Sequence, residues 1–328
     1  MGLDSAPVRK HRCSGQSLNR IACSPHALGY TYQQRGCVSC GLIAMKQVSS
    51  FGIDPLDATF GAIVTDIKLA GLSASDFSKL HDSWLEFGLL IFPGQFLSNE
   101  EQIAFAQRFG DLEFDLAAIT NVDENGQVHF DPDEDLVKTL QGAMGWHCDS
   151  TFMPVQAKGA VFSAHIVPSS GGETGWSDMC SAYENLDKPT QKRVLDLSAY
   201  HSLWHSQSKM GHEPEVDSSY GFHDLDPPLR PLVKTHPETG RQSLVIGRHA
   251  YGIPGMDPAA SEEFLQGLVD FACQPPRVYY HKWSPGDAVV WDNRRLLHQG
   301  RPWDMREPRV MYHARIAGDP KTEFAAHA

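Results

Sequence analysis

Apolar positions recur along this chain in two rhythms. Phe77, Leu80 and Trp84 fall at helical spacing and predict a helix over Ser73 to Phe87, stopped by Gly88 before a short apolar strand, Leu89 to Phe92. Pro93-Gly94 then turns the chain. Ser98-x-x-Glu101 has the form of a capping box, in which each side chain accepts from a backbone N–H that the helix leaves free. It opens a second helix whose Ile103, Ala106 and Phe109 face one side, expected to end at Gly110. Further on, Gly159 to Phe162, Leu244 to Ile246 and Ala288 to Trp291 read as strands bounded by Gly or Pro, and Ser261 to Ala272 as one more amphipathic helix. His201 to Pro231 is different, rich in His, Ser, Gly, Asp and Pro with little strand pattern, and reads as a lid. Many short strands with long excursions predict a mainly β fold with flanking helices around a double-stranded β-helix (jelly-roll, cupin-like) core.

The rhythm begins only near residue 48. In the first 44 residues Arg9, Lys10, Arg12, Arg20 and Arg35 stand against a single acid, Asp4, and Cys13, Cys23, Cys37 and Cys40 account for four of the seven cysteines. Residues 1–47 are therefore read as a disordered N-terminal extension, 48–318 as one domain and 319–328 as a tail; a transit segment, or a working start at Met45, are the alternatives for the leader. Cys37-Val-Ser-Cys40 is half of a zinc pattern without its second half. The net charge of -12 speaks against nucleic acid or an anionic membrane as partner, and the longest apolar run, Leu89 to Phe92, is strand-sized rather than membrane-spanning. A cytoplasmic protein with a small-molecule partner is expected.

The chemistry lies in a His-x-Asp pair, His147 and Asp149, answered far downstream by His298 and, eleven residues beyond that, by Arg309. Two imidazoles and a carboxylate form the facial triad that holds Fe(II) and leaves neighbouring positions open for oxygen chemistry. In a strand, His147 and Asp149 would share the inward face while Cys148 points away from it. A guanidinium fork near such a metal suits the far end of a dicarboxylate keto acid. Trp291, Asp292 and Asn293 have two readings, as groups that orient His298 or as barrel core followed by a turn. Asn121 either lines the substrate side or closes a turn.

Trp146-His-Cys-Asp-Ser-Thr-Phe152, Gly171-Gly-Glu-Thr174, Trp291-Asp-Asn293 followed by His298, and Arg309-Val-Met resemble, in order, the motifs of the taurine dioxygenase and 2,4-dichlorophenoxyacetate dioxygenase family. The resemblance covers residues 50 to 318. It implies an Fe(II)- and 2-oxoglutarate-dependent dioxygenase that uses O2, with His147, Asp149 and His298 as iron ligands, Thr174 at the near carboxylate region of 2-oxoglutarate and Arg309 on its far carboxylate. Asp149 in the ligand set implies hydroxylation rather than halogenation, and the family's habit of self-association implies a homo-oligomer. Where that family has a second arginine for the substrate's acidic group, this chain has His313, with Arg315 two residues on. Either a protonated His313 or Arg315 could meet a substrate anion, and Arg315 could equally be an ion-pair partner. Arg230-Pro-Leu-Val-Lys-Thr-His-Pro-Glu-Thr-Gly240, Ile246-Gly-Arg-His-Ala250 and His313 itself are most similar to the (S)-specific phenoxypropionate branch, which implies an aryloxyalkanoate substrate. The same reaction on another small acid or sulfonate, a zinc hydrolase and a non-catalytic cupin-like binding protein are the other readings.

Overall fold

The computed structural model describes residues 51–325 apart from positions 115 and 219. The expectations for residues 1–47, with Cys37, Cys40 and Met45, lie outside the described residues, as do 326–328 of the tail. In chain order the elements are β1 (Gly52–Pro55), β2 (Ala62–Thr65), α1 (Ala74–Phe87), β3 (Leu89–Phe92), α2 (Asn99–Ala106), β4 (Ala117–Thr120), α3 (Asp135–Gly142), β5 (Gly159–Ile166), β6 (Thr174–Asp178), α4 (Met179–Asn185), α5 (Lys188–Leu195), β7 (Ser198–His201), α6 (Leu203–Ser208), β8 (Leu229–Pro231), β9 (Val233–Thr235), β10 (Gln242–Leu244), β11 (Ala250–Tyr251), α7 (Pro258–Ala272), β12 (Val278–His281), β13 (Ala288–Asp292), β14 (Leu296–Gly300), β15 (Val310–Ile316) and α8 (Pro320–Glu323). The fold is mostly β-sheet with helices around it.

Seven strands form one sheet in the order β1-β2-β3-β13-β5-β15-β4, and three more form a second, β12-β6-β14. Strand alternation divides the large sheet's side chains between two interiors. Leu89, Ile91, Phe162, Val289 and Met311 point one way and pack with Trp176 and Leu296 of the small sheet. Leu90, Phe92, Val161, Val290 and Ala314 point the other way, against Leu80 and Trp84 of α1 and Phe105 of α2. A third core, with Leu232, Leu244, Ile246, Leu265 and Leu268, lies on the far side of the small sheet, where Leu297 of β14 joins it. Phe162 and Trp291 of the interior between the two sheets also line the cavity that holds the candidate site, together with a few polar side chains.

The local signals translate directly into caps. Ser73 accepts from the N–H of Asp76, Gly88 ends α1 at φ 75, and its N–H reaches Trp84 O. A left-handed residue there is cheapest as glycine. Ser98 and Glu101 form the complete capping box. The helix it opens is shorter than expected, ending at Ala106. Arg108 and Phe109 donate to the carbonyls of Phe105 and Ala106, so the last turn tightens to i→i+3 bonding and brings the Phe109 ring edge-on to Trp84. Similarly, β10 stops at Leu244 because the chain then crosses to the first histidine's segment, where Arg248 N donates to Trp146 O at 2.8 Å. The excursion expected as a lid contains α6 and closes with β8, and is otherwise irregular. The segment set apart as a tail begins with α8 and returns to the domain, with Ala325 N donating to Pro154 O and Glu323 buried.

Candidate metal centre

His147 and His298 are joined by a pair of backbone hydrogen bonds, 2.9 and 2.8 Å, which bring their ring centroids to 4.2 Å. His298 sits mid-strand in β14, opposite Trp176 of β6. The expected strand through His147 and Asp149 does not form: His147 makes an isolated bridge, Asp149 already lies in a turn, and Ser150 takes φ 57. A left-handed residue reverses the chain, so the ladder cannot continue. Alternation survives nonetheless. Cys148 turns away, its thiol facing the carbonyls of Asn293 and Leu296 at 3.3 and 3.4 Å, while His147 and Asp149 face His298. One ligand atom from each of His147, Asp149 and His298 lies within 4.8 Å of the other two, the sole such grouping of three or more His, Cys, Asp or Glu among the described residues.

The donor set fits a divalent metal. His147 Nδ1 donates to Gly145 O at 2.7 Å, which fixes the tautomer and leaves Nε2 as a bare lone pair. His298 turns Nε2 toward Asp149, 3.8 Å from Oδ1, and Asp149 Oδ2 is buried without a hydrogen-bond partner among the described residues. Burial, reinforced for His147 by His298, pushes His147 down to about 3 and His298 to about 4, so both imidazoles are neutral near pH 7. Burial disfavours the Asp149 anion, but Arg315, His298 and His313 outweigh it and hold the carboxyl well below its usual range. Two neutral imidazoles and an ionised carboxylate with positions left open are the ligands of a non-haem Fe(II) site.

Asn293 sets the carboxylate's position. Its Oδ1 accepts from Asp149 N at 2.9 Å, and its Nδ2 donates to Asp149 O at 2.9 Å and to Ala157 O at 3.0 Å. Neither reading of the Trp291 to Asn293 run is met in full. Trp291 is core and packs on His298, Asp292 is held by His236 and Arg294, and Asn293 orients Asp149 rather than His298.

Across the cavity stand Thr174 and Arg309. Thr174 Oγ1 accepts from Trp283 Nε1 at 3.0 Å, which leaves the hydroxyl proton free to be donated. Arg309 is buried to 5% exposure, stacks over Trp303 and has no carboxylate partner among the described residues; its one side-chain hydrogen bond is to Gly172 O at 3.4 Å. Burial brings the guanidinium down to about 10, still charged at neutral pH. Such a charge without a counter-ion is strongly unfavourable unless a ligand supplies one. Gly172 makes the approach feasible, since a Cβ there would stand 3.3 Å from Arg309 Nε at a backbone φ of +70. Ile119, Leu140, Met144, Phe162 and Trp291 provide the cavity's apolar walls.

Three residues considered for the substrate differ from expectation. Asn121 does not reach the cavity; it is fully buried, donates to Met305 O and Glu307 O and accepts from Arg309 N, so it clamps the chain that carries Arg309. His313 lines the cavity, but burial pushes it down to about 4, so near pH 7 it is a neutral ring rather than the cation considered from the sequence. It stacks on Trp291 at 5° and 5.5 Å, with Nε2 3.4 Å from Asp149 Oδ2. Arg315 also lines the cavity, yet its guanidinium is engaged by Asp149 Oδ1 at 3.3 Å and lies 3.7 Å from Glu113, the ion-pair role of the two it was given. The roles of Asn293, Trp283 and Glu113 left no local signal in the sequence, because their partners lie far along the chain, from 37 residues for Glu113 and Ser150 to 144 for Asn293 and Asp149.

Residues 52–315 match the family described as taurine catabolism dioxygenase TauD, TfdA family. The (S)-phenoxypropionate/alpha-ketoglutarate-dioxygenase of Sphingobium herbicidovorans is 60% identical over 281 residues, covering 84% of this chain and 98% of that protein. Its namesake from Delftia acidovorans is 56% identical over 84% of this chain and 97% of its own length. Among solved structures, AAD-2 in complex with Mn(II) and N-oxalylglycine superposes with a TM-score of 0.78 at 33% identity, over 85% of this chain and 99% of that one. With the family's span running from β1 to Arg315, and so enclosing all three candidate ligands together with Thr174 and Arg309, the chain belongs to the taurine catabolism dioxygenase TauD, TfdA family.

Proposed function

We propose that this protein is an Fe(II)- and 2-oxoglutarate-dependent dioxygenase that hydroxylates a small carboxylic acid of the (S)-aryloxypropionate type. One observation carries the reading: the His147, Asp149 and His298 cluster, its aspartate and second histidine buried, shares a cavity with Arg309, a buried guanidinium lacking an acid partner among the described residues. A zinc hydrolase would have no use for that unpaired cation, and a non-catalytic binding protein would bind 2-oxoglutarate without releasing succinate. The family assignment and two relatives named for (S)-phenoxypropionate support the same choice.

His147, Asp149 and His298 hold the metal. When bound, Fe(II) with 2-oxoglutarate and O2 supplies an oxidative decarboxylation to succinate and CO2 coupled to hydroxylation of a substrate C–H bond. Arg309 pairs with the far carboxylate of the cosubstrate through its fork, and Thr174, its acceptor side occupied by Trp283, donates its proton to a cosubstrate carboxylate oxygen. Asn293 keeps Asp149 in place, and the walls of Ile119, Leu140, Met144 and Phe162 exclude water and accept an aryl ring. His313 has an unspent Nε2 facing the cavity and is the side chain we assign to the substrate's acid group, as a neutral donor. Hydroxylation at the carbon between ether oxygen and carboxylate gives a hemiketal, which collapses to a phenol and an oxo acid without a separate hydrolase. The two facing sheets are read as the double-stranded β-helix core of the 48–318 domain, and the free cysteines Cys148, Cys180 and Cys273 suit a reducing cytoplasm.

The test is succinate release by the purified protein with Fe(II), ascorbate, 2-oxoglutarate and O2 over (S)- and (R)-phenoxypropionates, phenoxyacetates, taurine and alkanoates, with His147→Ala as control. Phenol and stoichiometric succinate from the (S)-aryloxy acids are expected. Succinate with none of these substrates consumed discards the substrate class, and no succinate above the variant discards the enzyme.

A further inference from the structure

Tyr220 belongs to the excursion between β7 and β8, yet its side chain is spent on the wall of the metal centre. Its hydroxyl lies 2.8 Å from Glu113 Oε2 and 2.9 Å from Ser150 Oγ, which is itself 2.8 Å from the same Glu113 oxygen, so the two hydroxyl protons are shared over three close contacts centred on Glu113. Its ring lies 5.1 Å from the Arg315 guanidinium, with Phe114 at 4.9 Å from the same group. Arg315 stands between two carboxylates, 3.3 Å from Asp149 Oδ1 and 3.7 Å from Glu113 Oε2. Ser150, immediately after Asp149, holds φ 57, a conformation that costs a non-glycine residue energy and puts its hydroxyl into this cluster.

The arrangement is a competition. A guanidinium between two acids is drawn to the one whose lone pairs are less occupied. The Tyr220 and Ser150 hydroxyls both bond the Glu113 oxygen nearest Arg315, which leaves Asp149 Oδ1 as the better partner. Arg315 on Oδ1, the oxygen that also lies 3.8 Å from His298 Nε2, fixes how the Asp149 carboxylate is turned toward the other candidate ligands, with Oδ2 facing His313 Nε2 at 3.4 Å. We propose that Tyr220 is a positioning residue: it occupies Glu113, holds Arg315 on Asp149, and so makes the geometry of the metal-binding carboxylate depend on how the excursion that carries Tyr220 is seated. This rests on the reading of Asp149 as a metal ligand given above.

The experiment measures Mn(II) affinity of the full chain by the electron paramagnetic resonance of free Mn(II), together with 2-oxoglutarate consumed per substrate hydroxylated. Tyr220→Phe keeps the ring over Arg315 and removes the hydroxyl alone. It is expected to weaken Mn(II) binding roughly tenfold, the scale on which partners of metal ligands act, and to raise uncoupled consumption of 2-oxoglutarate. Glu113→Gln, which removes the competing charge, leaves Mn(II) affinity unchanged or tighter, and Tyr220→Phe with Glu113→Gln regains the parent value. Leu225→Ala, 56% exposed on the same excursion, changes neither readout. Mn(II) affinity of Tyr220→Phe within twofold of the parent, or a double variant as weak as the single one, overturns the proposal. Asp149→Ala separates the two readings: if it binds Mn(II) like the parent, the metal site itself is wrong, whereas if it does not, a parent-like Tyr220→Phe overturns this inference alone.

Discussion

Replacing Asn293 by alanine tests how Asp149, the proposed metal-binding carboxylate, is held. The side chain is 1% exposed and makes three hydrogen bonds to backbone groups, two to Asp149 and one to Ala157. A buried hydrogen bond contributes about 1 kcal/mol net, and a partner left unsatisfied costs about 1–3 kcal/mol. Water can enter the space left by the amide and soften part of this, so the expected loss in unfolding free energy of the metal-free protein is about 3 kcal/mol. Metal affinity should fall further, by about 10- to 100-fold, because the turn that aims Asp149 loses its anchor. Asn293→Asp sharpens the test. It retains an acceptor for Asp149 N but turns an oxygen toward the carbonyls of Asp149 and Ala157, so it should bind metal no better than the alanine variant despite its similar shape. Urea unfolding and Mn(II) titration report the two effects separately. An alanine variant that loses less than about 1 kcal/mol and binds Mn(II) like the parent, or an aspartate variant that binds clearly better than alanine, would refute the reasoning.

Further outcomes follow from the other side chains. Arg309→Ala should raise the KM for 2-oxoglutarate by about a hundredfold or more, since charge-assisted bonds contribute about 1.5–3 kcal/mol each; Arg309→Lys should recover only part of it, a point charge lacking the fork, as read from succinate formation. Trp283→Phe removes the donor that fixes the Thr174 hydroxyl and should raise the same KM about fivefold, with kcat much less affected. His201 is fully buried, its two ring nitrogens have no partner, and burial followed by the nearby Arg230 pushes it down to about 3. Unfolded histidine takes up a proton below about pH 6.5 and the folded one does not until about 3, so stability is full above the first value and is lost as pH falls toward the second. Near pH 5, His201→Leu should therefore reduce the slope of unfolding free energy against pH by about 1.4 kcal/mol per unit, and an unchanged slope counts against it.

What the sequence determined by itself was everything carried by neighbours. The turn of apolar residues through Phe77, Leu80 and Trp84, the Ser98–Glu101 box and Gly88 are written within a few residues of the backbone groups they satisfy, and α1, β3 and the start of α2 fall where these signals put them. The kinds of residue at 147, 149, 174, 298 and 309 are likewise what the proposed metal and anion sites rest on, and the fold gathers all five around one cavity. Alternation even predicted that Cys148 would turn away, although the strand invoked for it is absent and Ser150 bends the chain instead.

Tertiary structure decided the partners. Arg315 could have met a substrate, and Asn121 could have faced one, until the fold set Glu113 and Asp149 beside the first and the Met305 and Glu307 carbonyls beside the second. Asn293 could have served His298, but the turn after β13 delivers it to Asp149, 144 residues away. The physical reason is the same in each case. A polar side chain in water has no preferred partner, and burial is what makes every unsatisfied donor or acceptor expensive enough to select one. The selection is therefore made by whichever groups the packed strands bring within 3 Å or so, and sequence separation carries no information about that.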